Sequence, residues 1–138
     1  MWYKDYSLEE INVILGRYMT KLLDIQATAI EQDHITASMP VTDNVRQPFG
    51  ILHGGASVVL AESIGSIASN LIIDPEKWVA VGLDINANHL RKVTSGKLYA
   101  KCTPLHVGST THVWDIKITD DRDRLVCVSR LTTAIIKK

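Results

Sequence analysis

The spacing of hydrophobic and polar positions changes several times along the chain, and each change marks an element. Ile11, Ile14, Leu15, Tyr18 and Leu22 recur at helical spacing, and Ser7 followed by Glu10 has the spacing of a capping box. This predicts a short N-terminal helix with one apolar face. Residues 23–41 read as two strands turning at Glu31-Gln32-Asp33, the second running from 35 to 39. Asp43-Asn44, Pro48 and Gly50 then mark a loop over 42–52, which holds Phe49, the only phenylalanine.

Residues 53–73 are apolar almost throughout. Their length predicts a helix rather than a strand, roughly 28 Å for about nineteen residues at 1.5 Å each. A helix apolar nearly all round should be buried on most sides. Asp74-Pro75 ends it. Four strand-like runs follow, at 78–90, 97–105, 110–119 and 125–136. The short connections Val107-Gly108-Ser109 and Asp120–Asp123 imply antiparallel hairpins. The order predicts an α+β fold: one curved antiparallel sheet wrapped around a central helix.

Length and charge narrow the functional classes. A chain of 138 residues suits one domain spanning 1–138. A core of that size buries about two-thirds of the unfolded surface, so neither metal nor disulfide is needed to hold it. Fifteen basic residues balance fifteen acidic ones, and no basic run exceeds Arg91-Lys92 or Lys137-Lys138. That pattern argues against nucleic acid as a partner. The hydrophobic fraction, 46%, leaves room for a subunit interface.

Cys102 and Cys127 form no Cys-x-x-Cys pair and read as reduced, strand-buried thiols. The start, Met1-Trp2-Tyr3-Lys4-Asp5-Tyr6, lacks the basic region and apolar run of a signal peptide. The apolar stretch from 54 to 73 approaches membrane-spanning length, but Glu62, four serines, Asn70 and three glycines argue against a bilayer span. A cytoplasmic protein, without membrane partners, is the expectation.

Candidate chemistry concentrates on Glu62, a lone carboxylate inside the apolar helix with no cation nearby in sequence. Burying an unpaired carboxylate is costly and favours its protonated form. Positions 62, 66 and 69 are spaced i, i+4, i+7, which puts Glu62, Ser66 and Ser69 on one predicted face. At the helix start, Gly54-Gly55 would offer unpaired backbone N–H groups to a negative charge. An oxyanion developing there would be stabilised, while Glu62, about two turns along, would attack or activate water. The structural alternative is a buried Glu tied to backbone amides or to a histidine across an interface. His53 either orients a carbonyl or caps the turn, and Gln47 alone reads as a loop amide. His89, His106 and His112 lack metal-ligand spacing, so no metal site is expected. No Gly-x-Ser-x-Gly elbow or Cys/His nucleophile pattern is present, so hydrolysis here would rest on a carboxylate.

The run Gln47-Pro48-Phe49-Gly50-Ile51-Leu52-His53-Gly54-Gly55-Ala56-Ser57, continuing through Leu60-Ala61-Glu62-Ser63-Ile64-Gly65-Ser66, resembles the hotdog-fold acyl-CoA thioesterases. The match is to the branch with its carboxylate on the central helix. The segments Val81-Gly82-Leu83-Asp84-Ile85-Asn86-Ala87-Asn88-His89 and Ser129-Arg130-Leu131-Thr132-Thr133-Ala134 resemble that branch too. His-Gly-Gly alone would be weak; with Gln-Pro-Phe-Gly before it and Ala-Glu-Ser after it the motif is specific.

The resemblance implies a role for each residue. Glu62 would be nucleophile or general base, and the Gly54 N–H would polarise the thioester carbonyl. Gln47 and His53 would position the reacting groups, and Ser66 the water or acyl group. Arg91, Ser109, Thr110 and His89 would meet coenzyme A, which enters as part of the substrate, so no separate cofactor is implied. Active sites of this fold lie between subunits, so Gln47 and His53 would face Glu62 of a partner chain in a homo-oligomer, a dimer that pairs into a tetramer. Substrates would be acyl-CoA or acyl carrier-protein thioesters. The helix and the strand around Asp84-Ile85-Asn86 are most similar to enzymes hydrolysing 1,4-dihydroxy-2-naphthoyl-CoA in menaquinone synthesis. A broad-specificity proofreading thioesterase for hydroxybenzoyl carrier-protein thioesters and a non-catalytic acyl-CoA-binding protein are the alternatives. Hotdog dehydratases and hydratases share the fold but set their acid–base pair in a different local pattern.

Overall fold

The structure, a computed structural model, describes residues 1–138. Helices α1 (Leu8–Leu15) and α2 (Tyr18–Leu22) precede strands β1 (Gln26–Ile30) and β2 (Ile35–Pro40). A 3-10 turn at Asp43–Val45 leads to the long helix α3 (Gly54–Ile72), and strands β3 (Trp78–His89), β4 (Lys97–Val107), β5 (Thr111–Thr119) and β6 (Leu125–Lys137) complete the chain. All six strands form one antiparallel sheet in the order β1-β2-β4-β5-β6-β3. The predicted hairpins β1–β2, β4–β5 and β5–β6 are all present. Strand β3 does not pair with its sequence neighbour β4; it crosses to β6 and forms an edge of the sheet.

The predicted N-terminal helix is interrupted. Ser7 and Glu10 close the capping box, but α1 ends at Gly16 and the chain restarts as α2, with Tyr18 at φ 51°. Ile11 and Leu15 therefore enter the core, whereas Ile14, Tyr18 and Leu22 are exposed, Tyr18 to 91%. The single apolar face expected over residues 11–22 is not formed, because the break rotates the second half away.

Alternation along β5 sends His112, Trp114, Ile116 and Ile118 to one side, where the last three share the core with α3 residues Leu60, Ala61, Ile64 and Ala68. Cys102 and Cys127 are buried free thiols on this sheet, and burial pushes both thiols up in pKa. Helix α3 has the length and apolarity of a membrane span, yet it lies across the sheet and contributes nine buried residues. Its wrapping is one-sided: Glu62, Ser63, Ser66 and Ile67 remain only partly covered within one chain.

Two polar devices fix α3 on the sheet. Asn70 donates to the Ala80 carbonyl at 3.0 Å and accepts from the Ala80 N–H at 2.9 Å, tying the helix to β3. Trp114 Nε1 donates to Ser69 Oγ at 2.7 Å, and Ser69 Oγ bonds Thr133 Oγ1 at 2.8 Å. Ser69 therefore faces the core, fully buried, and does not share the partly open face of Glu62 and Ser66. Seven residues of helix return it almost to the same angle, but the curved sheet covers that angle at Ser69 and leaves it open at Glu62.

Candidate active site

The loop before α3 is shaped by a short set of bonds. Gly50 adopts φ +82°, a conformation that favours glycine, so the chain can double back. Arg46 then clamps the turn, donating to the carbonyls of Gly50 at 2.8 Å and Thr94 at 2.6 Å. The Leu52 N–H bonds the Val93 carbonyl and the His53 N–H bonds the Val45 carbonyl, both at 2.8 Å, delivering the chain to the helix start.

Gln47 Oε1 accepts the Phe49 N–H, so the amide NH2 is the end of that side chain left free. His53 is the N-cap of α3: its Nδ1 accepts the Gly55 N–H at 2.7 Å. The Gly54 N–H has no partner in the chain. Of the two roles suggested for His53 the cap is formed, and the unpaired helix dipole end is presented by Gly54.

Gly54 is packed against His89 at the end of β3. A Cβ there would lie 2.8 Å from His89 Nε2, so the absence of a side chain is what lets the imidazole close on the helix end. Gln47, Gly54, Ser57, His89, Arg91 and Lys92 line one cleft of about 380 Å³, walled by apolar groups including Leu52 and Val126. Four of the residues expected from sequence, Gln47, Gly54, His89 and Arg91, thus meet in one place, with His53 at the cap. Ser57 carried no signal in the sequence, being one more small residue in an apolar helix.

Glu62 is elsewhere. Eight residues beyond Gly54, it lies roughly 12 Å along the helix axis. Its carboxylate rests over Gly82 of β3, where a Cβ would overlap Oε1. The β3–β6 register shifts between Gly82 and Asp84, so this contact falls on a β-bulge. No hydrogen bond or ion pair engages the Glu62 side chain within the chain. Ser66, one turn further, is also partly covered and uses its carbonyl to accept from Asn70.

Ser109 and Thr110 sit in the β4–β5 turn. Ser109 lines a separate groove with Ile73, Trp78, His112 and Ile135, at the C-terminal end of α3, while Arg91 lies at the N-terminal end. One chain does not bring these residues together. No cluster of three His, Cys, Asp or Glu side chains is arranged to hold a metal ion. His112 is buried edge-on to Trp114 with its Nδ1 unpaired, and burial holds its pKa below the usual histidine range.

A helix N-terminus with a free amide, a neighbouring carboxamide and a carboxylate on the same helix are the elements of acyl transfer. Comparisons with known proteins agree. Residues 49–127 match the thioesterase superfamily. The chain is 50% identical over 136 residues to a 1,4-dihydroxy-2-naphthoyl-CoA hydrolase of Escherichia coli, covering 99% of each. It is 41% identical over 136 residues to the proofreading thioesterase EntH of Cronobacter sakazakii, covering 99% of this chain and 98% of that one. A crystal structure of a mutant thioesterase from Pseudomonas aeruginosa superposes with a TM-score of 0.97 at 45% identity, covering 99% of both chains. The chain belongs to the thioesterase superfamily, with its hotdog fold, and is a thioester hydrolase.

Proposed function

We propose that this thioesterase hydrolyses aryl- and acyl-CoA thioesters at sites shared between two copies of the chain, with 1,4-dihydroxy-2-naphthoyl-CoA in menaquinone synthesis as its substrate. The observation that carries the reading is the roughly 12 Å between Gly54 and Glu62 on one helix. A thioester carbonyl bound at the Gly54 amide is out of reach of the same chain's Glu62. A second copy, placed antiparallel, supplies the carboxylate. The edge position of β3, with Val81 41% and Leu83 64% exposed, supports a partner on this side. The reading requires a dimer, and the pairing of dimers into a tetramer is part of the same proposal.

In this mechanism the Gly54 N–H polarises the thioester carbonyl and stabilises the oxyanion, and Gln47 and His53 orient the thioester. Glu62 of the second copy attacks the carbonyl carbon to form an anhydride that water then hydrolyses, or takes the proton of a water that attacks directly. Either route consumes one water, releases CoA thiol and leaves the free acid. Ser66 places the water or the acyl group. Arg91 and His89 hold coenzyme A from one side, and Ser109 and Thr110 of the other copy complete the grip. The only nucleotide group needed is the coenzyme A of the substrate itself, and the proposed compartment is the cytoplasm. Identity to the proofreading thioesterase supports the alternative substrate, a hydroxybenzoyl carrier-protein thioester.

Thiol release from a panel of aryl-CoA, fatty acyl-CoA and carrier-protein thioesters tests the proposal, with Glu62→Gln alongside. The expected result is release from aryl-CoA that Glu62→Gln lowers by at least about a hundredfold. Binding of thioesters without release would overturn it in favour of an acyl-CoA sensor, and turnover of enoyl-CoA in favour of a hydratase.

A further inference from the structure

Ser57 is wholly buried, and its hydroxyl has no hydrogen-bond partner. Buried hydroxyls are ordinarily paired. In a helix the usual outlet is the carbonyl four residues back, here that of His53, but the Ser57 hydroxyl makes no bond to it. Ser57 instead forms part of the cleft that holds Gly54 and His89.

Its place relative to Gly54 gives this group a use. The two are three residues apart, so they share a helix face, with a rise of about 4.5 Å between them. A thioester oxygen at the Gly54 amide therefore has the Ser57 hydroxyl about one turn deeper. Leu52 and Val126 add apolar wall to this cleft, and of its polar side chains Gln47, His89 and Arg91 are assigned above to the thioester and coenzyme A. A serine hydroxyl can both give and accept a hydrogen bond, so it pairs with an alcohol or phenol oxygen in either sense.

Resting on the proposed thioesterase reading, we infer that Ser57 is a specificity-determining residue that recognises a hydroxyl on the acyl group, within about one helical turn (about 5.4 Å) of the thioester carbonyl. An acyl group with a hydroxyl there completes the missing bond. An otherwise identical acyl group without it leaves Ser57 unpaired in the complex. Sites built around a polar partner reject the analogue that lacks it far more strongly than apolar pockets reject a small change of size.

The test is the ratio of kcat/KM within matched pairs: 2-hydroxybenzoyl-CoA against benzoyl-CoA, and 1-hydroxy-2-naphthoyl-CoA against 2-naphthoyl-CoA. The wild-type enzyme should favour the hydroxylated member by about tenfold or more, and Ser57→Ala should bring the ratio close to one. Should Ser57→Ala fail to fold, Ser57→Cys keeps the bulk with a weak hydrogen-bonding group and should lower the ratio in the same way. An equal loss on both members, with the ratio unchanged, makes Ser57 structural and overturns the inference. So does a wild-type enzyme indifferent to the hydroxyl. If aryl-CoA is hydrolysed and Glu62→Gln abolishes release, either result sinks this inference alone. Absence of release from any thioester sinks the thioesterase reading with it.

Discussion

Gly82→Ala offers a sharp test of the site, because the added methyl group points at one atom. Gly82 lies at the β3 bulge beneath Glu62, and a Cβ built there overlaps Oε1 while coming only to 3.5 Å from Cδ and 4.0 Å from Cγ. Ordinary contact would be restored by moving the carboxylate by about 1 Å, since carbon neighbours settle near 3.5–4.0 Å. Only the far end of a flexible side chain has to move, and alanine suits a strand better than glycine, so the fold should tolerate the change. Catalysis should not: a displacement of about 1 Å at a reacting group costs on the order of a hundredfold. Steady-state hydrolysis of an aryl-CoA should therefore show kcat reduced about a hundredfold with KM changed less than about threefold. The melting temperature should stay within a few degrees of wild type, and size-exclusion chromatography should show the same oligomer. A Gly82→Ala enzyme with full kcat would refute the placement of Glu62 as the reacting carboxylate. Loss of kcat together with loss of the oligomer would assign the effect to the subunit interface instead.

Two further outcomes concern the core. Ser69→Ala removes the hydroxyl between Trp114 Nε1 and Thr133 Oγ1 and strands two buried groups. At about 1–3 kcal/mol each, urea unfolding at fixed protein concentration should show a loss of about 2–6 kcal/mol, and a loss below about 0.5 kcal/mol would show the chain of bonds to be dispensable. His112 is held below the ordinary histidine range chiefly by burial, so the unfolded chain takes up a proton at higher pH than the folded one. Its contribution to stability is present above about pH 6.5 and is lost as pH falls from there through the lower folded value. Melting temperature should thus drop between about pH 7.5 and about pH 5.5, and less steeply in His112→Asn; parallel profiles would remove His112 from the account.

Much of the architecture was legible because each element carries its own local signal. Period-two alternation marks the strands, Ser7 and Glu10 mark the first cap, and the length of the apolar run marks α3. Glu62 stood out as a charge in that run. What sequence spacing missed was set by tertiary context. Apolar positions continue through Gly16 at helical spacing, so the break between α1 and α2 left no trace in the pattern. Ser69 has nearly the same helical angle as Glu62, and only the sheet's curvature separates a core hydroxyl from an open carboxylate. Pairing of β3 with β6 depends on a crossover that local patterning does not encode. Ser57 is invisible for a related reason, since its interest lies in what it fails to bond.

Under the proposed mechanism the cap at the start of α3 also divides labour between two ends of the helix. Because Nδ1 of His53 accepts the Gly55 N–H, the neutral ring must carry its proton on Nε2. His53 can then give a hydrogen bond at its free nitrogen but has no lone pair left to take a proton from water. In that mechanism the Gly54 amide, the Gln47 NH2 and the His53 Nε2–H at this helix end all donate toward the oxygen that gains electrons. The sole acceptor on the same helix with the strength to receive a proton or attack carbon is Glu62, two turns away. Electrophilic and nucleophilic halves are thus separated along a single rod within one chain, and only the pairing of two copies would bring them together.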